Sequence, residues 1–141
     1  RIISGFRERQ RGVASDIKLG DKFICYMTKL SRWIGILEVE SSYFQDNKPI
    51  FYPANDPFVI RFRVKTNAWL PIEQTIPISE DVCWNSLTFT KKLPKHSLGW
   101  TGMVRGSLRK LENTDGQFLE QLLLLMSLSH CLRSEKKFRN W

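Results

Sequence analysis

The chain has 141 residues, 42% of them hydrophobic, with a formal net charge of +8 and a pI near 9.7. A chain of this length buries a core without disulfides or a structural metal, and the positive field favours polyanionic partners in a salt-dependent way. Cys25, Cys83 and Cys131 are odd in number and form no CxxC pair, and His96 and His130 sit in no ligand-spaced cluster. This predicts free thiols in a reducing, cytoplasmic setting, with no metal and no cofactor. The longest apolar run, Leu122 to Met126, is too short to span a bilayer, so a membrane is not an expected partner. One domain is expected over residues 1–130, followed by a basic tail or linker over 131–141. An opening on Arg1 instead of methionine leaves room for further domains of a longer chain as partners.

In chain order, residues 1–6 predict a short strand. It leads into FRERQRGVAS, where Arg7, Arg9 and Arg11 form either a solvated face or a set of phosphate contacts. The stretch Gly20 to Glu40 reads as a hairpin, Phe23 to Thr28 and Trp33 to Glu40, joined by a tight basic connection. Alternation on its second arm sets Trp33, Gly35, Leu37 and Val39 against Ile34, Ile36, Glu38 and Glu40. Both faces are apolar at the start of that arm, as in a central strand of a curved sheet or barrel. Gly35 marks a bulge, a bend as the sheet closes, or the close approach of a backbone or ligand.

The loop SSYFQDNKPIFYPANDP carries Tyr43, Phe44, Phe51 and Tyr52 among turn formers. These rings either plug one end of a barrel or line a pocket. FVIRFRVKT predicts a strand with Phe58, Ile60, Phe62 and Val64 inward and Arg61, Arg63 and Lys65 outward. Ser79 is expected to cap a short helix with Glu80 and Asp81 in its first turn. KKLPKHSLGW predicts a basic loop ending on Trp100, a core ring or a ligand platform. MVRGSLRKL, Met103 to Leu111, predicts a further strand. Asn113 or Thr114 is expected to cap a last helix, with Phe118, Leu119, Leu122, Leu123, Leu125 and Met126 at helical spacing. From Arg133 the basic, aromatic tail reads as a frayed helix end or linker.

GxGxxG, Walker A, GxSxG and HExxH are all absent. Glu38 and Glu40 share a strand face, which reads as a solvated sheet edge before it reads as a catalytic pair. No catalytic residues are assigned, and an enzyme acting on a base or nucleotide is the least favoured class.

Taken in order, GDKFICYMTK, RWIGILEVESSYF, the loop through KPIFYP, DPFVIRFRVK, then GW with MVRGSLRKL before a C-terminal helix resemble the EVE domain. That family belongs to the PUA-like superfamily and is related to the YTH readers of methylated adenine. The resemblance runs from about Gly5 to Leu125. It implies an α+β fold, a PUA-like twisted β-barrel flanked by short helices, with a pocket that accepts an unstacked base. The family's opening strand and helix have no counterpart ahead of Gly5, and Ile3 and Ser4 stand where relatives commonly carry a tryptophan.

The resemblance implies a non-enzymatic reader of a modified base, cytosine or adenine in DNA, serving as the targeting module of a modification-dependent restriction or defence protein. An RNA-binding PUA-like module is the alternative. The base pocket it implies comprises Ser4, Gly5, Phe6, Trp33, Gly35, Phe51, Tyr52 and Trp100, and the phosphate contacts are Arg7, Arg9, Arg11 and Arg105. These residue types suit the task, since rings stack on bases and arginines hold phosphates.

Overall fold

The computed structural model describes residues 2–53, 55–106 and 108–139, with side chains of the last helix described through residue 129. Its strands are β1 (Ile2–Phe6), β2 (Lys22–Met27), β3 (Arg32–Val39), β4 (Phe44–Gln45), β5 (Ile60–Trp69) and β6 (Ile76–Pro77). Its helices are α1 (Arg11–Ala14), α2 (Asp81–Trp84) and α3 (Asn113–Arg139). The strands form one six-stranded antiparallel sheet in the order β1-β5-β3-β2, with β4 added to β5 and β6 to β3. Among the described residues no pairing joins β1 to β2, so the sheet is open and the fold is α+β without a closed barrel.

The chain divides into two compact units. The first comprises Arg1–Phe23, Leu37–Thr66 and Gly106–Leu108. Here β1 pairs with β5 in the register Ser4↔Phe62, Gly5↔Arg61 and Phe6↔Ile60. Because side chains alternate along a strand, Phe6 and Ile60 turn to one face and Gly5 and Arg61 to the other. The first face is the core, where Phe6, Ala14, Val39, Ile60, Phe62 and Val64 are buried. Phe6, Phe23 and Phe62 meet edge to face with ring centroids 5.5 to 6.0 Å apart, the geometry that ring quadrupoles favour. The opposite face departs from the alternating pattern. Arg61 is 1% exposed instead of solvated, because the aromatic loop folds over it.

The second unit comprises Ile24–Ile36, Asn67–Arg105 and Arg109–Trp141. Its core gathers Trp33, Ile36, Leu70, Ile76, Ile78, Cys83, Leu87, Leu119 and Leu123. Asp115, in the first turn of α3, accepts the Thr88 backbone N–H at 2.9 Å and the Thr88 hydroxyl at 2.5 Å, which fixes the start of the helix. Leu119 and Leu123 turn fully inward, whereas Leu125 is 64% exposed and lies on the outer face.

Two local expectations are corrected. Among the described residues of Met103 to Leu111, which leave out Ser107, there is no strand: a 3-10 turn over Thr101–Met103 is followed by irregular chain. Gly106 and Leu108 take positive φ of 84° and 65°, which breaks extended pairing there. The N-cap of α2 is Glu80 instead of Ser79, and no side chain caps it. The basic stretch from Arg133 continues α3 as far as Arg139, while its side chains, with Asn140 and Trp141, lie outside the described residues. Among the described residues no helix is long and apolar enough to cross a membrane.

Candidate nucleic-acid interface

In the first unit the loop between β4 and β5 is organised by one carboxylate. Asp56 accepts the backbone N–H groups of Ile50, Phe51 and Phe58 at 3.1, 2.7 and 3.0 Å. Burial by itself would raise its pKa, but these donors, with the Tyr52 N–H, outweigh it and hold the carboxyl below the usual carboxylate range. Arg61 reaches up from β5 to join it. Its guanidinium donates to the Phe58 and Lys48 carbonyls at 3.0 and 2.6 Å and lies 3.4 Å from both Asp56 and Asp46. A buried guanidinium with carbonyl and carboxylate partners ties four points of the loop to the strand beneath.

What this loop presents is aromatic. Tyr52 stacks on Phe58 at 5.7 Å with an interplanar angle of 19°, and Phe51 meets Phe58 edge on at 5.7 Å. The Arg7 guanidinium lies 5.3 Å from the Phe58 centroid, that of Arg61 5.6 Å from Phe51, and that of Arg63 5.4 Å from Phe44. Gly5 explains the fit: a Cβ there would collide with the Phe51 ring and sit 3.0 Å from Phe58 Cβ. Arg11 is engaged locally, paired with Glu8 and donating to Gln45.

In the second unit, Tyr26, Thr28, Ser31, Trp100, Thr101, Val104 and Arg105 line a cavity of about 130 Å³. Trp100 is held by its indole N–H, which donates to the Ser97 carbonyl at 2.8 Å, and by an edge contact with Trp84 at 5.9 Å. Ser31 has a φ of 54°, uncommon for a residue with a side chain, and its carbonyl receives the Ile78 N–H at 2.9 Å. The Tyr26 hydroxyl is shielded from water without a hydrogen bond of good geometry. Burial raises its pKa and the nearby Ser31 hydroxyl draws it back only in part. Aromatic, hydroxyl-bearing and basic residues thus line one concavity.

The residues singled out from sequence separate accordingly. Gly5, Phe51, Tyr52 and Arg7 come together in the first unit, and Trp100 and Arg105 come together in the second. Phe6 is core, 8% exposed, and Ser4 shares its strand face. Trp33 is 2% exposed and meets Tyr26 in a tilted contact with ring centroids 4.7 Å apart. Gly35 lies under β5, where a Cβ would run into the Ala68 carbonyl and the Trp69 ring. Of the alternatives for this glycine, close backbone approach is the one observed. Arg9 is exposed on the 3-10 turn Glu8–Gln10.

Phe58, Asp56, Arg61, Tyr26 and Ser31 were not legible as site residues. Only Asp56 carried a signal, as an acidic residue in a turn-rich NDP segment that suits capture of nearby backbone N–H groups. Among the described residues no group of three or more His, Cys, Asp or Glu side chains is placed to hold a metal. Compared with protein-family models and with curated proteins, the chain matches none.

Proposed function

We propose that the chain is a non-enzymatic nucleic-acid reader that takes one unpaired, modified base into the cavity lined by Tyr26, Trp100 and Arg105. The observation that carries this reading is the cavity itself, lined by the aromatic residues Tyr26 and Trp100, the hydroxyl residues Thr28, Ser31 and Thr101, and Arg105. Trp100 offers a surface for stacking, and Arg105, exposed at the rim, meets the backbone phosphate. The resemblance to EVE domains supports modification as the feature read, a PUA-like, barrel-derived sheet as the scaffold, and a restriction or defence protein as the setting.

The test is fluorescence polarisation at fixed salt with matched modified and unmodified oligonucleotides, in DNA and RNA arms. A preference for one modified base is expected, lost in Trp100→Ala and reduced in Tyr26→Phe, which deletes a single oxygen. Thr101→Trp, which fills the cavity from its wall, abolishes the preference without removing a core ring. Equal affinity for modified and unmodified strands, in both nucleic acids, overturns the reading. A preference confined to the RNA arm replaces the DNA reader by an RNA-binding module.

A further inference from the structure

We infer that α3 is a dimerisation element, whose outer face pairs antiparallel with the same face of a second copy of this chain. Leu122 to Met126 are consecutive apolar residues, so the helix is apolar around its whole circumference there. The core takes only one side. Leu119 and Leu123 are fully buried, with Phe118, Leu122 and Met126 packed beside them. Leu124, Leu125 and Leu128 lie outside that core and are 41%, 64% and 58% exposed. A helix that is apolar all round is ordinarily a buried one, and a stripe of exposed leucines marks a contact surface.

The spacing of the stripe selects a helix as its partner. Gln121, Leu125, Leu128 and, further along the sequence, Leu132 alternate steps of four and three residues, the seam of a coiled coil. A second α3 supplies the complementary seam. In a two-fold dimer each contact is returned by its counterpart, and an axis passing between Met126 and Ser127 sets Leu125 opposite the partner's Leu128 and Leu128 opposite the partner's Leu125.

Charge selects the antiparallel sense. Ahead of the stripe stand Glu112 and Glu120, Asp115 being turned inward to Thr88, and no Lys or Arg lies between Asn113 and Leu128. Beyond the stripe the sequence carries Arg133, Lys136, Lys137 and Arg139 against Glu135 alone. Antiparallel packing lays the acidic half of one helix along the basic half of the other and opposes their dipoles, whereas parallel packing brings like charges together. An anionic lipid surface would attract the basic half and repel the acidic one. Three exposed leucines per copy make a small interface, so the pairing is concentration-dependent.

The experiment is sedimentation equilibrium of the full chain over micromolar concentrations, which does not involve the cavity. The mass is expected to rise from 16.6 kDa towards twice that value. Leu125→Glu, at an exposed position, holds the mass at one chain and leaves the far-UV spectrum and the thermal midpoint at low concentration unchanged, which separates lost pairing from lost folding. Leu125→Met retains the dimer. Orientation is read from spin labels at Gln117→Cys, an exposed position, in a Cys131→Ser background in which burial keeps the Cys25 and Cys83 thiols protonated. At 1.5 Å of rise per residue, the labels lie roughly 30 Å apart in the antiparallel pair and about 10 Å apart in a parallel one. A single-chain mass at every concentration overturns the inference, as does a dimer that survives Leu125→Glu or a label separation of the parallel kind. Leu125-dependent binding of the monomer to phosphatidylserine vesicles also overturns it, in favour of a lipid surface.

Discussion

Arg61 and Asp56 face each other at 3.4 Å beneath the loop that carries Phe51 and Tyr52, with side chains 1% and 0% exposed. The pair joins a strand to a loop that has few apolar anchors of its own. Removing Arg61 leaves the Asp56 carboxylate under the loop without its guanidinium. Arg61→Met is expected to destabilise the protein by about 3 kcal/mol, the scale of a broken buried pair. Urea denaturation with the Tyr52 environment followed by fluorescence checks this. An unchanged midpoint would show that the N–H donors hold the loop without Arg61.

The same carboxylate sets an acid limit. The folded-state pKa of Asp56 lies below its ordinary value of 3.8 because backbone N–H groups donate to the ionised form. A group depressed in this way contributes stability above its unfolded value, and the contribution is lost as pH falls through the folded value. The wild-type midpoint in urea should therefore fall as pH drops below about 3.8, and Asp56→Asn should be less stable at neutral pH with a flatter acid limb. Parallel acid limbs in the two proteins would count against the assignment.

Two glycines should respond to alanine with opposite signs. At Gly35 the new methyl meets the Ala68 carbonyl and the Trp69 ring and Cα, and backbone atoms cannot step aside. Gly35→Ala is expected to cost roughly 1 to 3 kcal/mol by overpacking. At Gly12, in α1, nothing lies within 4 Å of the added carbon. Gly12→Ala should stabilise by about 0.5 to 1 kcal/mol through helix propensity. Thermal midpoints of the two variants provide the comparison.

The Cys25 and Cys83 thiols are both pushed up to about 11, by burial in each case and with Glu80 adding to the shift at Cys83. The thiolate is the reactive form, so both should resist alkylation at neutral pH. In a Cys131→Ser background, a disulfide reagent should label almost nothing in the native protein and two thiols per chain in denaturant. Rapid native labelling of either would contradict its placement.

The sequence by itself determined the elements whose side chains report their own burial. Ile60, Phe62 and Val64 alternate and are core, Leu119 and Leu123 recur at helical spacing and are core, and the hairpin over β2 and β3 follows its apolar arms. Local periodicity suffices there because one face of each element meets a hydrophobic interior. It fails where a polar residue is covered by chain distant in sequence. Arg61 occupies an outward position of β5 and is nonetheless buried, because residues 46–58 fold across it and supply acceptors that alternation cannot foresee.

The same limit governs the rest of the site. MVRGSLRKL has a strand's composition, but Gly106–Leu108 belong to the first unit and the residues on either side to the second, with left-handed φ at Gly106 and Leu108. That passage between units is a property of long-range contacts, and no local propensity encodes it. The aromatic residues were visible as a set from composition and order alone. Only tertiary structure decided that Tyr52 joins Phe58 and Arg7 while Trp100 joins Tyr26 and Arg105, because ring contacts depend on which strands pair and which loops close over them.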